Sequence, residues 1–328
     1  MWFDRLISLI NRMVPARSRA GETPSTLAAE LANKNLNRPL VFDPALCPLN
    51  AQRAAEPRFE SDEDARHWNR LRVRVMHHLL ETISKSPCGQ NLVLRGSTVL
   101  AAWFGDQARS PRDLDWVVTP DSIKFKTSSA NSLIQSLLSV LMGSRITDEL
   151  SIPSEGFAAE EIWTYEKSPG QRIVIPWACR DARFNGTVQL DLAFEEAMFS
   201  PPVETELRFA GLPPIKMTTA SREQSLAWKL LWLMTDTFPE GKDLFDAVLL
   251  AETTKVPLSV VQKTFEQASC SSGDLTRAQI RDLDTEWDDF LLEYPKTTGT
   301  AAEWQQRLAN ALEPLWKEFE GQGVSRQS

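Results

Sequence analysis

The chain of 328 residues has few of the residues that build disulfide scaffolds and zinc sites. Its four cysteines are scattered without a Cys-x-x-Cys pair, which favours a reduced, cytoplasmic protein. The histidines are too few and too clustered for an ordinary zinc enzyme, since there are only His67, His77 and His78. No apolar run is long enough to cross a membrane, so we expect no membrane span.

The composition is that of a globular protein, with 42% hydrophobic and 24% charged residues in a length that suits two or three packed units. The net charge of −8 repels nucleic acid, so a nucleic-acid partner would need a local basic patch. Residues 2–14 have apolar side chains at helical spacing, interrupted by charges that a signal peptide would lack. They predict an amphipathic helix that docks on its own domain or a second copy, with a membrane-surface helix as the less favoured alternative.

Residues 92–118 predict a strand, a short buried helix, a turn and a second strand. Gly96-Ser97 interrupts the first strand, and Gly105 ends the helix. The second strand begins at Asp113, and its alternation places Asp113 and Asp115 on one face. These two carboxylates repel each other, which solvent could tolerate on a surface strand. The functional interpretation is a hard-cation site, because Mg²⁺ takes one or two carboxylates together with substrate phosphates.

The Gly96-Ser97 corner could hold those phosphates. Glycine lets a phosphate approach the backbone, and the start of the following helix offers free N–H groups at the positive end of its dipole. Arg109 and Arg112 would add guanidinium groups that pair with phosphate beside the acids.

Three further segments hold charges of interest. We expect a helix over residues 61–84. Its four arginines form either a solvated face or a surface that follows an RNA backbone; they are Arg66, Arg70, Arg72 and Arg74. Residues 162–180 and 187–194 are predicted strands, and Asp191 in the second must be paired, metal-bound or hydrogen-bonded within the structure. A strongly apolar helix over residues 222–235 contains Lys229, which either snorkels to solvent or needs a buried anion.

At the Gly-Ser corner and the Asp-Leu-Asp strand, the chain resembles the nucleotidyltransferase superfamily, and within it the AbiEii/AbiGii group of abortive-infection toxins. The match includes Arg109, while Pro111 stands where that family usually has serine or threonine. The family pattern also has a helical lysine followed by Arg-Asp-x-x-Asp. Here Lys229 fits the first part, and the second reads Lys242-Asp243-Leu244-Phe245-Asp246, with lysine in place of arginine.

The resemblance implies roles for these residues. Asp113, Asp115 and Asp191, the last as the third carboxylate on a neighbouring strand, would bind Mg²⁺ or Mn²⁺, and Asp191 could also activate the attacking hydroxyl. Six residues would bind the NTP, chiefly through its phosphates: Gly96, Ser97, Arg109, Arg112, Lys229 and Asp243. Asp246 would orient Lys229 or the acceptor, whereas Asp243 is also explained by the dipole of a first helical turn.

The expected fold is α/β, with a small mixed nucleotidyltransferase sheet flanked by helices and a helical C-terminal domain. We predict an N-terminal arm over residues 1–55, a nucleotidyltransferase domain over 56–210 and helices over 211–328. The expected function is Mg-dependent transfer of an NMP from an NTP to an acceptor, with tRNA or another RNA implied, in a toxin that has a cognate antitoxin. The alternatives are an aminoglycoside-type small-molecule nucleotidyltransferase and a non-catalytic nucleotide-binding module.

Overall fold

The computed structural model describes residues 40–42, 52–54, 57–164, 168–237 and 239–325. The helix predicted over residues 2–14 lies outside these ranges. In the part of the chain that they cover, no helix is long and apolar enough to cross a membrane.

The described chain contains ten strands and ten α-helices. The strands are β1 (Leu40–Phe42), β2 (Gln52–Ala54), β3 (Leu92–Arg95), β4 (Asp113–Val118), β5 (Leu150–Ser151), β6 (Ala158–Thr164), β7 (Ser168–Cys179), β8 (Asn185–Ala193), β9 (Val203–Leu207) and β10 (Ile215–Thr219). The helices are α1 (Asp62–Lys85), α2 (Ser97–Phe104), α3 (Ser128–Leu141), α4 (Arg222–Thr235), α5 (Gly241–Thr253), α6 (Leu258–Gln267), α7 (Arg277–Arg281), α8 (Trp287–Glu293), α9 (Ala301–Ala311) and α10 (Glu313–Ser325).

Eight of the strands form one mixed sheet in the order β5-β7-β8-β4-β3-β10-β9. Strand β6 pairs with residues 168–174 of β7, on the same edge on which β5 pairs with the end of that strand. The pairs β4–β8 and β10–β3 are parallel, and the other pairs in this sheet are antiparallel. The α/β fold class is therefore confirmed, with a sheet larger than the small one predicted.

Local sequence explains the boundaries of the helices that flank the sheet. The Ser61 side chain accepts hydrogen bonds from the backbone N–H groups of Glu63 and Asp64 and so caps α1. Helix α2 ends at Gly105, whose φ of +55° lies in the left-handed region that glycine tolerates. Ser221 caps α4 by accepting from the backbone N–H of Gln224. These boundaries match the predicted ones to within one or two residues.

Each face of the sheet is covered by a hydrophobic core, which follows from the alternation of its strands. Leu94, Leu114 and Leu190 pack on one side with α1 and α3. Val93 and Val117, which point the other way, pack against the C-terminal helices. The acids of β4 alternate with Leu114, so they lie on the side of the C-terminal helices.

Two boundaries differ from the predicted ones. The single strand expected over residues 162–180 is instead two strands, β6 and β7, which pair antiparallel with Thr164 opposite Ser168. Pro169 and Gly170 lie inside β7. The sheet also extends past residue 210, since β10 pairs with β3, and the helical part begins at Arg222.

Candidate active site

A row of charged residues crosses the face of the sheet that meets the C-terminal helices. In the strand register, Arg95 pairs with Asp115, Asp115 with Asp191, and Asp191 with Arg172. Side chains directly opposite each other on neighbouring strands have Cβ atoms roughly 5 Å apart, so these four groups are close enough to interact. The structure thus brings the third carboxylate, Asp191, next to the Asp-x-Asp pair.

Asp113 and Asp115 are held against the corner between β3 and α2. The Ser97 hydroxyl donates to Oδ1 of Asp113 at 3.4 Å, and Ser97 is fully buried. Gly96 has a φ of +77°, and a Cβ at this position would collide with Oδ2 of Asp115. Glycine is therefore required here to make room for the Asp115 carboxylate, in addition to any approach by a phosphate.

Asp115 has a strongly raised pKa. Burial, followed by the negative charges of Asp113 and Asp191, raises its pKa from 3.8 to about 7. Arg95 and Lys242 oppose this increase in the pKa without cancelling it. A bound cation would stabilise the ionised form of Asp115, because it would offset the repulsion between this carboxylate and those of Asp113 and Asp191.

Asp191 is bound by Arg172, whose Nε and Nη2 donate to its two oxygens at 2.9 and 2.8 Å. Arg172 is buried, with 5% of its surface exposed. A bidentate pair fixes the orientation of a carboxylate and uses one lone pair of each oxygen. Asp191 is thus an acid of fixed orientation on the strand beside Asp115.

A second cluster joins α4, α5 and the loop before β4. The Lys229 ammonium lies 2.6 Å from Oδ1 of Asp243 and 3.0 Å from Oδ2 of Asp246. Arg109 binds Asp246 from the other side, with Nε and Nη2 donating to its carboxylate. Lys229, Asp243 and Asp246 are each no more than 3% exposed, so the helix lysine is buried with two anions and does not snorkel.

The two clusters are electrostatically connected. The charge of Asp113 contributes to the raised pKa of Arg109, and the charge of Lys242 acts on the pKa of Asp115. Lys242 was not among the predicted site residues, although the Lys242-Asp243 run in the sequence was the available signal. Its ammonium lies 2.8 Å from Glu240, and about a third of its side chain is exposed.

Most cations predicted to bind phosphate already have a carboxylate partner. Arg112 pairs with Glu293 at 2.9 Å and lies over the Tyr294 ring, and a quarter of its side chain is exposed. Arg109 and Lys229 are buried in the second cluster. Arg112 and Lys242 are therefore the more accessible cations of this region.

The arginines of α1 lie away from the acids. Helix α1 packs on the opposite face of the sheet from Asp113 and Asp115. Arg72 is buried, donates to Asn69 and lies 5.0 Å from the centre of the Trp68 ring, so it is not part of an exposed basic surface. Arg66, Arg70 and Arg74 are exposed there.

The donor set suits a hard cation only in part. Among the described residues, no three acidic, histidine or cysteine side chains converge closely enough to hold an ion by themselves. The Asp113 and Asp115 carboxylates offer the oxygen ligands that Mg²⁺ prefers, and Mg²⁺ commonly completes its shell with water and substrate phosphates. The arrangement therefore fits an ion that arrives with a phosphorylated substrate.

Comparisons with known proteins identify the family. Residues 78–319 match the family described as "Nucleotidyl transferase AbiEii toxin, Type IV TA system". The fold is similar to MenT4, a nucleotidyltransferase toxin from Mycobacterium tuberculosis H37Rv, with a TM-score of 0.51 and 16% identity over 76% of this chain and 87% of that chain. JHP933 from Helicobacter pylori gives 0.42 and 16% over 81% of this chain and 97% of that one. No curated protein matches the chain significantly.

Proposed function

Because the chain belongs to the AbiEii family of nucleotidyl transferase toxins, we propose that it moves a nucleoside monophosphate from an NTP to a hydroxyl of an RNA acceptor. The observation that carries this proposal is the row of carboxylates on adjacent strands, Asp113, Asp115 and Asp191, beside the glycine at the start of α2. We favour tRNA as the acceptor, the cytoplasm as the compartment and a cognate antitoxin as the partner that restrains the activity.

In this proposal, Asp113 and Asp115 hold Mg²⁺ or Mn²⁺ together with phosphate oxygens of the NTP. The bound ion would neutralise charge that develops on the phosphates during transfer. Asp191, whose orientation is fixed by Arg172, would support the ion or accept the proton of the attacking hydroxyl. The hydroxyl oxygen bonds to the α-phosphorus, and the bond from that phosphorus to pyrophosphate breaks.

The cations divide into two groups by exposure. Arg112 and Lys242 are accessible enough to meet the triphosphate, for which they would exchange their contacts with Glu293 and Glu240. Lys229 and Arg109 are buried and bind the buried carboxylates of Asp243 and Asp246. Lys229 uses two of its three N–H donors on aspartates, so a phosphate contact would take the third.

One observation favours a different acceptor class. Glu286, Asp288 and Asp289 line an open cavity of about 430 Å³ beside Trp287, which could take a small polycationic molecule. A small-molecule nucleotidyltransferase of the aminoglycoside type would use such a surface. This alternative predicts transfer to a polyamine-like acceptor that does not require RNA.

Calorimetric titration of the full-length protein with each NTP, in Mg²⁺ and in EDTA, tests the binding part of the proposal. We expect binding that requires Mg²⁺ and that is lost in the Asp113→Asn/Asp115→Asn variant. The matched control is Asp288→Asn, which removes an exposed acid away from the row. Equal affinity in EDTA would remove the metal from the proposal, and full affinity in the double variant would remove the two acids.

A further inference from the structure

An arginine lies on two aromatic rings at the far end of α2. The guanidinium carbon of Arg222 is 5.3 Å from the ring centres of both Trp103 and Phe104. The two rings meet edge to face, at 88° and 6.5 Å. All three side chains are partly exposed. We call Trp103, Phe104 and Arg222 the aromatic–arginine platform.

Arg222 differs from the arginines of the catalytic row and the cluster below it. Each of those is neutralised by a carboxylate, in the pairs Arg95–Glu196, Arg109–Asp246, Arg112–Glu293 and Arg172–Asp191. Arg222 forms no ion pair with any residue that the structure describes, and its recorded contacts are the two rings. A positive charge held in place without an anion remains available to an anionic ligand.

The two aromatic residues of the platform lie on the helix that begins at the catalytic corner, and Arg222 is the first residue of α4. Helix α2 begins at Ser97, whose hydroxyl donates to Asp113, and continues to Phe104. With a rise of 1.5 Å per residue, Trp103 lies about 9 Å along the helix axis from Ser97. A ligand on the platform is thus within a short distance of the acids, on a rigid element that positions both.

Aromatic rings and guanidinium planes are the groups on which proteins stack unpaired bases, and arginine also pairs with phosphate. A cationic small molecule would instead be repelled by the charge of Arg222. We propose that the aromatic–arginine platform binds the acceptor strand as single-stranded RNA, an inference that rests on the proposed nucleotidyl transfer. A base next to the reacting nucleotide stacks on the rings, and Arg222 pairs with the adjoining phosphate.

The test measures RNA binding separately from NTP binding. Fluorescence anisotropy with a labelled 12-nucleotide single-stranded RNA, in the full-length protein without NTP, gives affinity as a function of salt concentration. Arg222→Gln should weaken binding and reduce the log–log salt slope by about 0.7, the change for one lost single-strand phosphate contact. Trp103→Leu should weaken binding roughly five- to 150-fold through lost stacking.

Four controls make the result decisive. Arg74→Gln removes an exposed arginine from the opposite side of the sheet and should change neither affinity nor slope. Arg222→Lys should keep the salt slope, and circular dichroism melts identify any variant that does not fold. NTP affinity in Mg²⁺ should be the same in Arg222→Gln as in the unmodified protein.

Several results would overturn the inference. If Arg222→Gln binds RNA as tightly as the unmodified protein, Arg222 has only a structural role. If Arg74→Gln loses as much RNA affinity as Arg222→Gln, the binding reflects nonspecific attraction of charge. A loss of NTP affinity with RNA binding intact would assign the platform to the base of the NTP. Failure of the proposed function is seen separately, as absence of Mg-dependent NTP binding in the unmodified protein.

Discussion

Replacing Lys229 with methionine should destabilise the protein, although methionine resembles the lysine stem in volume. Lys229 is buried between Asp243 and Asp246, and its removal deprives both acids of their shared cation. Removing one partner of a buried ion pair costs about 3–5 kcal/mol, because a charge remains without compensation. We expect the lower end, about 3 kcal/mol, since Arg109 still binds Asp246 and Lys242 lies near Asp243.

For a chain of 328 residues, a loss of about 3 kcal/mol lowers the Tm by roughly 4 °C. Urea unfolding and thermal melts of Lys229→Met would measure the loss. The double variant Lys229→Met/Asp243→Asn should recover much of it, because the second change removes the orphaned charge. Lys317→Met is the matched control, as that lysine is 71% exposed and should change stability by less than about 0.5 kcal/mol.

An unchanged Tm in Lys229→Met would refute the reasoning, since it would mean that the buried pair contributes nothing to the fold. A double variant less stable than the single one would also refute it. Transfer assayed well below the Tm of the variant then tests the separate proposal that Lys229 serves the triphosphate.

Two further changes test the geometry around Asp115. Gly96→Ala should lower both the Tm and the Mg–NTP affinity, measured by thermal shift and calorimetry, because its Cβ would collide with the Asp115 carboxylate; wild-type affinity would contradict this. Asp115→Asn should be more stable than the unmodified protein at pH 8 by a few kcal/mol. The folded-state pKa of Asp115 is raised from 3.8 to about 7, so the fold loses stability as the pH rises between these two values, where the unfolded chain has already released the proton, and the loss is complete above about 7. The difference should shrink toward pH 4 in urea titrations, and a difference independent of pH would refute the assigned cause.

Local sequence was sufficient to predict the strand–helix–strand unit that carries the acids. The glycines at its corners and the alternation of Asp113 to Val118 are local signals, and the observed β3, α2 and β4 follow them closely. The same alternation predicted that Asp113 and Asp115 share one face of the strand. The superfamily resemblance, with Asp191 as its third carboxylate, matched the register that pairs Asp191 with Asp115.

Partners that are distant in the sequence were not predictable in the same way. Arg109 binds Asp246 across 137 residues, and this pairing depends on how α5 packs against the loop before β4. Burial of Arg72 and its contact with Trp68 likewise come from packing of α1 on the sheet. Periodicity shows that a residue lies on a face, but the ion partner on the opposing element is fixed only by tertiary structure.

The most direct test of the central claim is transfer of label from α-³²P-labelled NTPs to bulk tRNA by the full-length protein. We predict labelled RNA and released pyrophosphate in Mg²⁺, no labelled RNA in EDTA, and none with Asp113→Asn/Asp115→Asn, in a variant that melts no lower than the unmodified protein. Labelled RNA from the double variant, or none from the unmodified protein with any of the four NTPs, would contradict the assignment of these acids to nucleotidyl transfer.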